Sequence, residues 1–357
     1  MTRFFALDIF RIIICASVFL FHAGIHKILP LPSPVDSLVS ANILTGAIYM
    51  DAFFILSGFI LFIIYGYSST FNSKKDLFNF YKKRLLRIYP QYIIYTIIII
   101  IYDNYFDFSI FITQIFTIQG FFIQFFNKMG NGGTWFISCI VFLYIAFPFL
   151  CVFIKNSKHI IFYIFIISLL IFILNLIVVQ SKINTFSLYI NPLYRCLPFI
   201  AGMLMAEYCL KNAINKYVSF SIIGLSFFIF IIIYILYNNK FIYGVYFSNK
   251  YTLYSFVVVP ILCFIIYALS IFKVKSNTNS YIINIINIIS NLTFSFYMYQ
   301  GLALRVSKVL IEKYNSLYIN NTILFFIVNL LFSIASYFVV EKFLTSHLKK
   351  LLIKQVG

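Results

Sequence analysis

Charge is scarce in this chain. Asp, Glu, Lys and Arg make up 10% of its 357 residues, and only nine of these are acidic. Soluble globular domains carry about 25% charged residues, so an ordinary water-exposed surface is excluded. Metal-ligand spacing is missing too. Cys15, Cys139, Cys151, Cys196, Cys209 and Cys263 lie within or at the edges of apolar runs, with no CxxC pair and no His-rich spacing, which argues against disulfides and zinc. No small-residue cleavage site follows the first apolar run, which therefore reads as a retained span rather than a signal peptide.

Apolar residues fill the space that charge leaves. The chain is 62% hydrophobic and 21% aromatic, and apolar runs of roughly 17 to 25 residues mark membrane spans. They fall near 5–24, 43–66, 86–104, 134–154, 159–180, 193–210, 217–237, 251–272, 282–303 and 321–341. The fold expected is all-α and polytopic, with ten transmembrane helices. Segment 107–126, DFSIFITQIFTIQGFFIQFF, reads either as a re-entrant or interfacial piece, which its Gln, Thr and Gly favour, or as an eleventh span. The net charge of +18 might point to nucleic acid in a soluble protein, but the Lys and Arg cluster between apolar runs, where positive charge sets orientation. Nucleic acid is set aside. With ten spans and the N-terminus inside, 17 Lys and Arg fall on the cytoplasmic side, against 8 outside and 2 within spans. Both termini are then cytoplasmic, with one membrane domain over 1–345 and a basic cytoplasmic tail, 346–357.

Ionisable groups within spans are costly and point to function. The first span, LDIFRIIICASVFLFHAGIH, holds Asp8, Arg11 and His22. Eleven residues separate Arg11 from His22, about 16 Å of helical rise at nearly the same azimuth, so the two share a face. Asp8 can pair with Arg11 at i,i+3. The plainer reading has Arg11 snorkelling to the cytoplasmic interface and His22 packing between helices; the functional one makes His22 a general base. In YMDAFFILSGFIL, Asp51 stands at the outer end of the second span and can orient or balance His22, while Ser57 and Gly58 read as close-packing residues. In FYKKRLLRIYPQY, Lys82 and Lys83 read as topology anchors; Arg84 and Arg87, three apart, suit bidentate grip on phosphate. Trp135, the single Trp, reads as an aromatic-belt residue. Arg195, at an outer helix start, is placed to meet an anionic or sugar substrate or to cap an interface, and the hydroxyl and amide groups of SNLTFSFYMYQ, 290–300, suit the lining of a sugar path, a signal that the Tyr bias of the chain weakens.

Taken in order, these stretches resemble acyltransferase family 3, polytopic membrane enzymes that include the O-acetyltransferases of bacterial surface polysaccharides. Arg11 and His22 match the family's first-span Arg and His, Phe53 to Phe59 its FFxLSGF, and Arg84, Arg87, Ile88 and Pro90 its RxxR-I-x-P. Trp135, Tyr144 and Pro148 fit its spaced Trp, Tyr and Pro; RCLPFIAGMLMA resembles its PFxxGxLxA segment and YFVVEKF its closing Glu-Lys-Pro element, with Phe343 in place of Pro. Ile140 stands where some members have Glu, and Gln300 where many have His.

The resemblance implies transfer of an acyl group, most often acetyl, from cytoplasmic acetyl-CoA or another acyl-CoA to a hydroxyl of a surface glycan or lipid-linked glycan. It places the enzyme in the bacterial inner membrane and calls for no metal. Arg84 and Arg87 would hold the CoA phosphates, Arg11 would line the way inward, and His22 would act as base or carry the acyl group. A flippase, transporter or polymerase for lipid-linked oligosaccharide is the competing class. It has no evident reason to carry the Arg11–His22 and Arg84–Arg87 pairs, and no repeat of the kind that marks many transporters is evident.

Overall fold

The computed structural model describes residues 2–25, 46–67, 71, 73–128, 134–181, 186–238, 252–275, 281–313 and 321–344. The basic tail 346–357 lies outside the described residues, as do residues 129–133 of the NKMGNGG loop. Long helices form wherever the apolar runs occur: α1 (Phe5–Ile25), α2 (Gly46–Tyr65), α3 (Lys74–Asp103), then after a short α4 (Phe108–Ile115), α5 (Trp135–Ile154) and α6 (Ile160–Gln180). A five-residue α7 (Phe186–Ile190) leads into α8 (Pro192–Lys211), followed by α9 (Lys216–Asn238), α10 (Thr252–Leu269), α11 (Tyr281–Lys313) and α12 (Asn321–Ser336), which continues as a π-helical segment, Tyr337–Leu344. Among the described residues eight helices are long and apolar enough to cross a membrane; α9 and α10 contribute the shorter apolar stretches Lys216–Ile232 and Phe256–Leu269. The helices therefore coincide with the ten runs read from hydropathy. Segment 107–126 is not a span: α4 is only eight residues long and the rest is short 3-10 helix.

Local chemistry sets the ends. Ser73 caps α3 by accepting from the Asp76 N–H, and Asn104 closes it in the left-handed region at φ 48°. Asp107 accepts from the Ile110 N–H to start α4, and Asn191 from the Leu193 N–H to start α8, with Pro192 at the first helical position.

The tightest helix pair is α2 with α8. A Cβ on Gly58 would lie 2.1 Å from the Phe199 carbonyl oxygen, and one on Gly202 would lie 2.0 Å from that of Ile55. Each glycine thus admits the other helix's backbone, the small-residue packing that brings membrane helices together. At one end of the bundle a two-stranded antiparallel ribbon joins Thr2–Phe4 (β1) to Lys273–Lys275 (β2), pairing Arg3 with Val274. The fully buried Glu207 carboxylate ties together the ends of α2, α5 and α8, accepting from the Tyr67 hydroxyl (2.8 Å), the Asn156 N–H (3.1 Å) and the Lys211 ammonium (2.8 Å).

Candidate functional site

Four of the residues singled out from the sequence meet in one cavity of about 120 Å³. Arg11 from α1, Ser57 from α2, and Arg84 and Arg87 from α3 line it. Ile140 and Tyr144 of α5 and Thr293 and Tyr297 of α11 complete the wall with apolar neighbours. No carboxylate is among the lining residues, so three guanidinium groups converge on one space with no acid to neutralise them there. Such a field favours an anion.

Each arginine is held differently. Arg11 Nη1 lies 3.5 Å from Asp8 Oδ1 and donates to the Ser290 hydroxyl at 3.3 Å. Asp8 is itself shared, accepting from Arg3 Nε at 2.5 Å and from Ser290 at 2.9 Å, so it only partly neutralises Arg11. Arg84 is seated against rings: its guanidinium carbon lies 4.9 Å from the Tyr65 ring centre, 5.6 Å from Phe80 and 5.7 Å from Tyr144. Its Nε is buried without a hydrogen-bond partner, a donor that a bound anion would satisfy. Arg87 is exposed and makes no ion pair among the described residues.

His22 sits farther along α1, and both it and Arg11 face α11, as the eleven-residue spacing predicts. Arg11 meets Ser290, the Cys15 thiol lies 3.5 Å from the Thr293 carbonyl, and His22 Nδ1 lies 2.6 Å from Gln300 Oε1. The two helices thus run parallel with their polar groups in register. Ser290, Thr293, Tyr297 and Gln300, at steps of three, four and three, form one buried polar face of α11. In the sequence that three-four-three spacing is the signal for this face, and the abundance of Tyr around it obscures the pattern.

Three expectations need correction. Arg195 is enclosed rather than set at an open interface: it is 1% exposed and donates to Asp51 Oδ1 at 2.5 Å and to the Tyr189 carbonyl at 2.7 Å. Asp51, also buried, thereby serves as the charge partner of α8. Trp135 is not a lipid-facing belt residue, being 4% exposed with its ring 5.5 Å from the Arg195 guanidinium and 4.9 Å from Tyr189. Aromatic faces substitute for water around this cation, which is why the single Trp lies inside. Ser57 opens on the cavity, and Gly58 alone makes the close approach expected of both.

Among the described residues no group of three or more His, Cys, Asp or Glu side chains is arranged to hold a metal ion. Set against known proteins, residues 4–341 match the model of a family described as "Acyltransferase domain", nearly the whole chain. No curated protein and no solved structure matches it.

Proposed function

The chain belongs to this acyltransferase family, and we propose that it is an O-acyltransferase moving acetyl from acetyl-CoA, or another acyl group from its CoA thioester, to a hydroxyl of a cell-surface glycan or its lipid-linked precursor. The observation that carries the donor side is the cavity where Arg11, Arg84 and Arg87 converge without a carboxylate in the wall. CoA brings several phosphate charges, and guanidinium groups bind phosphate by planar, bidentate hydrogen bonds. The orphaned Arg84 Nε fits such a ligand.

Arg11 and His22 are separated by eleven residues of one helix, about 16 Å of rise, a distance the thin pantetheine arm can cover along α11's polar face. At His22 the acceptor hydroxyl gives its proton to the imidazole while its oxygen forms a bond to the thioester carbon. The carbon–sulfur bond breaks, and the CoA thiolate leaves with the proton from the imidazolium. A covalent relay through the His22 ring nitrogen gives the same products in two steps. The test is the acetyl content of the host's surface glycan, by mass spectrometry, in cells with the wild-type chain, with His22→Ala, or with neither. Acetyl only with wild type, at equal membrane levels of the variant, supports the reading. Equal acetyl in all three, with glycan chain length or export altered by the protein, would replace acyl transfer by transport or polymerisation.

A further inference from the structure

We infer that Gln300 is a positioning residue that holds His22 in the tautomer protonated on Nδ1, an inference that rests on the proposed role of His22 as the proton acceptor. His22 Nδ1 and Gln300 Oε1 are 2.6 Å apart. An amide oxygen has no proton to give, so the hydrogen of this bond belongs to Nδ1. A neutral imidazole carries one N–H, and the lone pair able to take a proton therefore resides on Nε2. The bond also fixes the ring's rotation about its side-chain torsions, the service that a buried acid or amide renders to catalytic histidines generally.

The rest of the amide argues against a packing role. Gln300 is 3% exposed, and its Nε2 is buried with no hydrogen-bond partner. Leaving a buried donor unsatisfied is costly, so a side chain kept merely to fill space would be better apolar. Gln300 is 278 residues from His22 in the chain, and Tyr297 one turn earlier on the same helix lines the arginine cavity. This helix therefore supplies both a wall for the donor and the oxygen that orients the base.

Imidazole ¹⁵N NMR of histidine-labelled protein in nanodiscs reads the tautomer directly, with His22→Gln to assign the His22 signals. Wild type is expected to show Nδ1–H with a pyridine-type Nε2. Gln300→Met keeps the side chain's length and shape but removes the acceptor; it should lower the share of the Nδ1–H tautomer. The kcat for acetyl transfer from acetyl-CoA should then fall about 10- to 100-fold, a part of the 10²–10⁴ that general-base catalysis supplies, with KM for acetyl-CoA unchanged. Gln300→His, which retains a hydrogen-bonding ring nitrogen, should restore part of the loss. Wild-type signals showing Nε2–H, or a Gln300→Met protein with an unchanged tautomer, would overturn the inference. A tautomer that follows Gln300 in a protein with no acyl transfer would uphold the positioning role and sink the proposed function instead.

Discussion

Arg84 shows how one side chain can be prepared for an anion. Three rings hold its guanidinium within 4.9 to 5.7 Å, while its Nε lacks a partner. Planarity is what makes this seat possible, and a lysine ammonium cannot stack in the same way. Arg84→Ala is expected to weaken acetyl-CoA binding about 10- to 100-fold, the worth of a charge-assisted hydrogen bond of about 1.5–3 kcal/mol. Arg84→Lys should recover less than half of that free energy. Titration calorimetry in detergent checks both, and full affinity in the lysine variant would show that stacking plays no part. Asp51 and Arg195 make the opposite case, a charge pair so enclosed that its role is cohesion. Removing one partner of a buried pair costs about 3–5 kcal/mol, while replacing both by apolar residues is often neutral. Arg195→Met or Asp51→Leu alone should lower thermal stability in detergent sharply, and the double variant should regain most of it. If either single variant melted like wild type yet lost activity, the pair would belong to the site.

The helices owe their existence to apolar length and their arrangement to a few small or polar residues. Gly58 and Gly202 let α2 and α8 touch backbone to backbone. Gly58→Ala and Gly202→Ala each put a methyl group inside contact distance of a carbonyl oxygen, and overpacking of this kind costs about 1–3 kcal/mol. Both should lower the melting temperature by several degrees. Gly224→Ala, whose Cβ would meet nothing within 4 Å, is the matched control and should leave it unchanged. Helix α11 is the second organising element. At 33 residues it rises about 50 Å, longer than the roughly 30 Å hydrocarbon core, and its polar face meets Arg11, Cys15 and His22 in turn. A hydrophobicity plot registers only that it is a span.

Across the molecule, helices of alternating direction bring β1, β2 and the Glu207 network to one end, and Arg305 of α11 pairs with Asp103 at the other end of α3. From the charge count the first of these ends is the one expected in the cytoplasm. Cysteines introduced into a cysteine-free background test this: Tyr105→Cys should react with an impermeant thiol reagent in intact cells, and Lys158→Cys only after permeabilisation. Labelling of both from the same side would break the assignment.

The positions of the helices could be read along the chain because apolar length and capping are local properties. The shared face of Arg11 and His22 followed from helical periodicity, and the family from its motifs. Tertiary structure alone joined Asp51 to Arg195 across 144 residues and Gln300 to His22 across 278, buried Trp135, and turned Ser57 into the cavity. The reason is physical. A soluble helix reveals its inward face by hydrophobicity, whereas in a bilayer the lipid-facing and protein-facing sides are equally apolar, so hydropathy carries no record of which helices meet. That choice is made by close packing and by the pairing of the few polar groups, and both become visible only when the helices are assembled.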